Sequence, residues 1–261
     1  MLNIELRLLQ QIGDIARRAG REIMKVYETD FMVEAKDDSS PVTEADKTAE
    51  DLILRSIREG ITGDFPIVSE EAAAAGNIPV VRNTAFWLVD PLDGTKEFVN
   101  RNDEFTVNIA LIENGRPVLG VVHAPALKET YWGASAGAFA QSGDDQETII
   151  SCRTPPTAGL TAIVSRSHRT EEVDEYLTRF NVTSEISAGS SLKFCRIAAG
   201  QADIYPRMGR TMEWDTAAGH AVLDFAGGSV VTVDGANLGY GKPEFKNPHF
   251  IAAGSGVVEP S

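Results

Sequence analysis

Two aspartates three positions apart, Asp90 and Asp93, follow the apolar run 87–89. The proline between them and the Gly-Thr pair after them make the backbone turn, so the two carboxylates are held close together. Neighbouring carboxylates repel each other unless protons or a cation lie between them. Mg²⁺ prefers oxygen ligands, and the carbonyl of Leu92 adds one. The stretch 87–95 therefore predicts a divalent-metal site.

Further acidic residues follow short apolar or helical patterns. Glu70 and Glu71 come directly after the strand-like run 65–68, as Asp90 does after its own run, which favours two strand ends that bring acids to one rim. Adjacent acids are also common on ordinary solvated surface, and that interpretation stays open.

Two more aspartates lie near predicted helix starts. Asp46 follows Thr43 by three residues, which is typical of an acidic member of an N-terminal cap. Asp215 precedes the small-residue helix 216–223, which is typical of an N-cap aspartate. The amides of that helix start would also favour an anion.

The spacing of apolar residues predicts the elements that must position these acids. Apolar residues from Leu8 to Val26 recur at three- and four-residue steps and predict a long amphipathic helix. The polar stretch 37–41 interrupts it, and Thr43 begins a second helix that ends near Gly60.

Hairpin signals dominate the middle of the chain. Asn-Gly at 114–115 lies between apolar runs, and 131–133 with 138–140 form another pair of strands. Beyond residue 145 the pattern changes to a strand at 161–164 and helices at 171–180 and 191–199. We predict an antiparallel α+β half over residues 1–145, followed by a smaller α/β half over 146–261.

Composition excludes several classes of protein. The 261 residues carry 38 acidic and 24 basic side chains, a net charge of −14, which argues against binding polymeric nucleic acid or an anionic lipid surface. The two cysteines have no metal-ligand or redox spacing, so we expect a reduced, cytoplasmic protein. No signal peptide or transmembrane segment is expected. A homodimer and a peripheral position on the inner membrane stay open.

Three motifs together resemble the inositol monophosphatase superfamily of Mg²⁺-dependent phosphatases. They are Asp-Pro-Leu-Asp-Gly-Thr at 90–95, Val-Ser-Glu-Glu at 68–71, and Glu-Trp-Asp-Thr-Ala-Ala-Gly at 213–219 with Gly-Gly at 227–228. The segments 95–98 and 190–195 resemble most the 3′(2′),5′-bisphosphate nucleotidase branch.

The resemblance implies a layered αβαβα sugar-phosphatase-like fold and two or more Mg²⁺ ions per site. The metal ligands that it implies are Glu70, Asp90, the Leu92 carbonyl, Asp93 and Asp215. The catalytic residues that it implies are Asp46, Thr95 and Glu70. It further implies that Thr95 holds the nucleophilic water and that Asp46, beside Thr95, helps to orient it, without a phosphoenzyme. Inhibition by Li⁺ is a further expectation.

The branch resemblance also implies a substrate, 3′-phosphoadenosine 5′-phosphate, hydrolysed to AMP and phosphate. The matching contact positions are Glu70, Leu92, Asp93, Gly94, Thr95, His168, Ser190, Lys193, Arg207 and Asp215. Lys193 and Arg207 suit a second phosphate that is not cleaved, although a lone His or Arg is more often ordinary surface chemistry. Inositol monophosphate or fructose 1,6-bisphosphate as substrate, and a metal-stabilised binding protein without catalysis, stay open.

Overall fold

Two long helices open the computed structural model, which describes residues 6–29, 41–81 and 84–257. Helix α1 (Leu6–Tyr27) packs against α2 (Pro41–Gly60). The amphipathic pattern predicted for α1 is confirmed, because its apolar residues lie on one buried face. Of the break predicted at 37–41, residues 37–40 lie outside the described residues, as do the N-terminal residues 1–5, and Pro41 belongs to α2.

Helix α2 begins two residues earlier than Thr43. Pro41 occupies the first position, where a missing N–H costs nothing. Asp46 consequently lies in the second turn, where it is buried, and its interpretation as part of an N-terminal cap is wrong.

A seven-stranded sheet follows, with its strands adjacent in chain order. Its first two strands are parallel, and the others pair antiparallel. The hairpin at Asn114 and Gly115 is confirmed, and both residues have positive φ, which a tight two-residue turn requires. The strands are β1 (Ile67–Ser69), β2 (Phe86–Asp93), β3 (Thr106–Glu113), β4 (Arg116–Ala124), β5 (Glu129–Ala134), β6 (Gly137–Ser142) and β7 (Thr148–Ile149), with the short helices α3 (Glu70–Ala74) and α4 (Thr95–Val99) between them.

The second half contains a five-stranded mixed sheet in the order β11-β12-β10-β8-β9. The three strands at one side are parallel, and β12 pairs antiparallel with both of its neighbours. The helix predicted at 171–180 ends at Leu177. The elements are β8 (Leu160–Ser165), α5 (Glu171–Leu177), β9 (Val182–Ala188), α6 (Leu192–Ala198), β10 (Ile204–Arg207), α7 (Glu213–Phe225), β11 (Ser229–Thr232), a 3₁₀ turn (Pro243–Phe245) and β12 (Phe250–Ala253).

The elements stack in five layers. Helices α1 and α2 cover one face of the large sheet, α6 and α7 lie between the two sheets, and α5 covers the outer face of the small sheet. The buried apolar side chains of the described residues form three hydrophobic cores. One lies between α1, α2 and the large sheet, one surrounds α6 and α7 and reaches both sheets, and one lies between α5 and the small sheet. The predicted αβαβα architecture is confirmed.

Helix α7 approaches the large sheet closely at Gly120. A Cβ atom at this position would lie 2.4 Å from the Ala218 carbonyl oxygen, so only glycine permits this separation. The contact fixes α7 against β4 and thereby places its first turn, with Asp215, beside the strand ends of the large sheet.

In the described ranges, no helix has both the length and the apolar composition that a membrane crossing requires. The cytoplasmic location and the homodimer stay predictions. The division between residues 145 and 146 also stays a prediction, and β7 still pairs with the first sheet.

Candidate active site

Three carboxylates from separate segments meet at one edge of the large sheet. Because β1 and β2 are parallel, their carboxyl ends lie at the same edge, and Glu70 and Asp90 come from these ends. Asp215 reaches them from the first turn of α7. One oxygen from each of the three side chains lies within 4.8 Å of the others. We call these three residues the acidic cluster.

Strand β2 changes course between its two aspartates. Its register with β3 shifts between Asp90 and Asp93, and the buried Leu92 lies between them with its amide donating to Asp90 Oδ1 at 3.1 Å. Gly94 then takes a positive φ of 95° and begins α4, which carries Thr95. The turn predicted from the proline and glycine is therefore present.

Asp93 is held by polar side chains from both halves of the molecule. Its Oδ2 accepts hydrogen bonds from Asn108 Nδ2 at 3.3 Å and Ser191 Oγ at 3.2 Å. Ser191 Oγ also lies 2.6 Å from the Asp215 carbonyl oxygen, so this hydroxyl lies between two predicted metal ligands. Sequence reasoning did not single out Asn108 or Ser191, since neither belongs to a local acidic pattern.

Burial and mutual repulsion raise the pKa of every member of the acidic cluster. Burial, followed by the charges of Glu70, Asp93 and Asp215, raises the pKa of Asp90 well above its usual value. Burial and the charge of Asp93 raise the pKa of Glu70 to about 7 and that of Asp215 to about 8. These are groups that ionise reluctantly without a cation beside them.

The donor set fits a hard divalent cation. All three side chains offer carboxylate oxygens, and between residues of the described ranges no salt bridge reaches any of them. A cation bound among them would offset the repulsion that raises their pKa values. The acidic cluster can therefore hold a metal ion.

Asp46 lies beside this cluster, on α2. Burial raises its pKa to about 9, with further contributions from the charges of Glu71, Glu70 and Glu50. Helix α2 packs against α4, the helix that begins at Thr95, so the two predicted partners lie on contacting elements. Their joint role stays a prediction.

A cavity of about 300 Å³ opens next to the acidic cluster, and its lining includes Asp93, Thr95 and Asp215. The same lining also carries positively charged or titratable nitrogen groups. We call them the cationic wall: Lys96, His168, Lys193, Arg207 and Arg210. The structure brings eight of the ten predicted contact residues to this cavity, whereas Glu70 and Leu92 are not in its lining. The eight are Asp93, Gly94, Thr95, His168, Ser190, Lys193, Arg207 and Asp215. Lys96 and Arg210 were missed by sequence reasoning, because single basic residues carry no local signal.

Lys193 is buried although it carries an amine. Its Nζ donates to the carbonyl oxygens of Ser190 at 2.6 Å and Ala188 at 3.2 Å. Burial lowers its pKa to about 8, with the charge of Arg207 acting in the same direction and Asp93 opposing it. Among the residues that the structure describes, no carboxylate forms a salt bridge with this ammonium, which is therefore suited to an anionic ligand.

Arg207 has a similar environment. Its guanidinium donates to the carbonyl oxygens of His168 at 3.3 Å and Arg210 at 3.2 Å. Its buried Nε has no hydrogen-bond partner within the described part of the chain. His168 Nε2 lies 3.2 Å from Lys96 Nζ, and partial burial followed by the charges of Arg207 and Lys96 lowers the pKa of its imidazole. The cationic wall thus has unmet donor capacity.

Asp215 differs from its sequence interpretation in one respect. Helix α7 begins at Glu213, so Asp215 is its third residue and not its N-cap. The carboxylate Oδ2 accepts a hydrogen bond from the backbone N–H of Met212, the N-cap residue, at 2.8 Å. The N-cap interpretation is wrong, because the helix begins two residues before Asp215.

Comparisons with known proteins agree with this geometry. The model of the "Inositol monophosphatase family" matches residues 7–260. The 3'(2'),5'-bisphosphate nucleotidase CysQ of Salmonella typhimurium is 47% identical, covering 93% of this chain and 98% of the relative, and that of Escherichia coli K12 is 44% identical with the same coverage. The crystal structure of CysQ from Bacteroides thetaiotaomicron superimposes with a TM-score of 0.83 at 37% identity, covering 97% of this chain and 99% of that one.

Proposed function

The chain belongs to the inositol monophosphatase family, and on that premise we propose that it is a Mg²⁺-dependent 3′(2′),5′-bisphosphate nucleotidase. Its reaction is the hydrolysis of 3′-phosphoadenosine 5′-phosphate to AMP and phosphate. The observation that carries the proposal is one cavity whose lining includes Asp215 of the acidic cluster together with the cationic wall.

The metal would be held by Glu70, Asp90 and Asp215, with Asp93 and the Leu92 carbonyl completing the predicted ligand set. Two or more Mg²⁺ ions fit this number of carboxylates. When bound, Mg²⁺ supplies the positive charge that neutralises phosphoryl oxygens and activates water.

The nucleophilic water is oriented by side chains of this chain. We infer that the Thr95 hydroxyl positions it for in-line attack on phosphorus and that Asp46 orients that hydroxyl. The bond from phosphorus to the ribose 3′-oxygen breaks as the bond to the water oxygen forms. The ribose oxygen leaves with a proton, and AMP and inorganic phosphate result.

The cationic wall binds the phosphate that is not cleaved. Lys193 and Arg207 are both buried, and no carboxylate of the described residues satisfies their donors. A 5′-phosphate therefore brings charge-assisted hydrogen bonds that water-exposed residues could not match in strength. Ser190 and His168 line the same cavity and complete the predicted contacts.

Inositol monophosphate or fructose 1,6-bisphosphate is the second candidate substrate class, because the acidic cluster itself does not discriminate among phosphate esters. The cationic wall favours the bisphosphorylated nucleotide. A third hypothesis is a binding protein without catalysis, and the presence of Thr95 together with Asp93 in the cavity lining argues against it.

A phosphate-release panel tests the proposal. Purified protein with Mg²⁺ should release phosphate from 3′-phosphoadenosine 5′-phosphate with higher kcat/KM than from inositol 1-phosphate or fructose 1,6-bisphosphate, and chelation should stop the release. The matched control is Asp93→Asn, which keeps the side-chain size and removes one charge. Faster turnover of the inositol phosphate would show that an inositol phosphate, and not the nucleotide, is the substrate. If none of the esters released phosphate in a metal-dependent way, the proposal that the protein is a phosphatase would be wrong.

A further inference from the structure

A segment near the C-terminus, residues 239–247, lies against the start of α7. We call it the brace. Its Lys246 forms an isolated β-bridge with Met212, the residue immediately before α7. It is remote from the acidic cluster in sequence, and none of its residues is among the predicted metal ligands. Its contacts nevertheless converge on the turn that carries Asp215.

Asn247 makes the most of these contacts. Its buried side chain donates from Nδ2 to the Met212 carbonyl oxygen at 2.8 Å and to Thr216 Oγ1 at 3.0 Å. Its backbone N–H donates to the Thr211 carbonyl oxygen at 3.0 Å. Asn247 therefore holds the carbonyls of both peptide groups that flank Met212.

The first of these peptide groups connects Asn247 to Asp215. In a trans peptide the carbonyl and the N–H point in opposite directions. The Thr211 carbonyl oxygen accepts from Asn247, and the N–H of Met212 in the same peptide group donates to Asp215 Oδ2 at 2.8 Å. This peptide plane is thus held between the brace and a predicted metal ligand.

A second anchor makes the brace rigid relative to α7. Glu213 is completely buried, and its two carboxylate oxygens accept from the backbone N–H groups of Gly241 and Lys242 at 2.7 and 2.9 Å. The Lys242 ammonium lies 2.7 Å from the same carboxylate. A buried, paired carboxylate of this kind fixes one backbone against another.

We propose that Asn247 is a positioning residue for Asp215: through the peptide groups around Met212, it holds the carboxylate in the orientation that the metal site needs. The inference rests on the proposed function, since it requires that Asp215 binds Mg²⁺. It extends the site to a residue 32 positions beyond Asp215 that touches neither substrate nor metal.

The physical reason is that a ligand's affinity depends on the groups that fix its orientation. Loss of a partner of a metal ligand typically weakens metal binding by about 10- to 100-fold. Asn247→Ala keeps the backbone hydrogen bond to the Thr211 carbonyl and removes the side-chain donor to the Met212 carbonyl. The peptide group that follows Met212 then loses its anchor, so the backbone whose N–H holds Asp215 gains freedom.

Tyr240→Phe is the matched control in the same brace. The Tyr240 hydroxyl bonds to His220 Nδ1 at 2.9 Å and to Thr216 Oγ1 at 3.3 Å, and neither contact passes through Met212. Both substitutions remove a buried hydrogen bond between the brace and α7, so both should lower the melting temperature. Only Asn247→Ala should weaken Mg²⁺ binding.

The experiment is titration calorimetry of the metal-free full chain with Mg²⁺ alone, together with circular dichroism to verify folding. We expect Asn247→Ala to raise the Mg²⁺ Kd about tenfold or more and Tyr240→Phe to keep the wild-type Kd. Asn247→Ser, which retains a small polar side chain, provides the same comparison if the alanine variant does not fold. An unchanged Mg²⁺ Kd in the Asn247 variant, or an equal loss of Mg²⁺ affinity in Tyr240→Phe, overturns the inference. A wild type that binds no Mg²⁺ overturns the proposed function itself and this inference with it.

Discussion

The acidic cluster and the cationic wall respond to burial in opposite ways. In the acidic cluster, burial and neighbouring carboxylates raise the pKa values of Glu70 and Asp215 to about 7 and 8. In the cationic wall, burial lowers the pKa of Lys193 to about 8, with the charge of Asp93 opposing it and that of Arg207 acting in the same direction. Each group of residues is thus charged at an electrostatic cost that burial imposes.

This difference indicates which kind of ion each group of residues requires. Like charges gathered in a partly buried place destabilise the ligand-free protein, and a bound ion of opposite charge offsets that cost. A divalent cation suits the acidic cluster and a phosphate dianion suits the cationic wall. The buried Asp203, by contrast, is neutralised by the partly exposed Arg153, with a separation of 2.6 Å between Asp203 Oδ2 and an Arg153 guanidinium nitrogen.

Asp90→Asn provides the largest expected effect and tests the comparison directly. It removes a charge from the acidic cluster, so kcat/KM should fall by about 10³-fold, in the range for loss of preorganised charge at a reacting group. The melting temperature of the metal-free protein should rise, because repulsion decreases. Asp203→Asn is the control and should lower the melting temperature instead, since it weakens the charge-assisted hydrogen bonds that the buried Asp203 accepts from Arg153. A fall in metal-free stability for Asp90→Asn would contradict the electrostatic account.

Thr95→Ala and Asp46→Asn should each reduce kcat by about 10²-fold while Mg²⁺ affinity changes little, because both are assigned to the orientation of water. Residues that act as one unit have non-additive effects, so the double variant should lose less than the product of the single losses. Steady-state kinetics of the four proteins measures this. Fully multiplicative losses would show that the two side chains act independently.

The cationic wall should control substrate choice and not the chemical step. Lys193→Met and Arg207→Met should lower kcat/KM for 3′-phosphoadenosine 5′-phosphate by about ten- to a hundredfold, the equivalent of about 1.5 to 3 kcal/mol for one charge-assisted contact. Turnover of adenosine 3′-monophosphate, which lacks the second phosphate, should change little. Equal losses on both substrates would remove these residues from the specificity pocket.

The smallest expected effect is a pH dependence of the folding stability of the metal-free protein. Folded-state pKa values of about 7 for Glu70, 8 for Asp215 and 9 for Asp46 exceed their unfolded values, so the folded protein binds more protons than the unfolded chain at intermediate pH. Stability of the metal-free protein should therefore fall as pH rises from about 5 to about 8. Above about pH 8 the lowered pKa of Lys193 acts in the opposite direction.

Urea unfolding at pH 5.5, 6.5 and 7.5 measures this slope. In saturating Mg²⁺ the decline should disappear, because the metal competes with protons for the same oxygens and binds more tightly as pH rises. An identical slope with and without Mg²⁺ would argue that the acidic cluster does not bind the ion.

Local signals in the sequence were sufficient for many elements. Period-3.6 apolar spacing predicted α1, and Asn-Gly predicted the hairpin at 114–115, because both signals depend on residues a few positions apart. Strand β9 was missed. Its residues 183–187 are exposed at the edge of the small sheet, so they lack the apolar alternation that marks a half-buried strand.

The acidic motifs and the family were likewise readable from the sequence, and the family is confirmed. Asp90 and Asp93 could be paired because a proline and a glycine constrain the backbone between and after them. The roles of the individual site residues stay predictions. Their assignment depends on the resemblance and on geometry, since single side chains such as His168 carry no local pattern.

Only the tertiary structure decided how the two halves share a site. Asp215 meets Asp90 because Gly120 lets α7 pack closely on the large sheet, a contact between residues about a hundred positions apart. The link from Asn247 to Asp215 runs through backbone carbonyls, which every residue possesses and no sequence pattern marks. The sequence by itself determined which oxygen donors and cations are present, whereas packing over long separations determined which of them face one another.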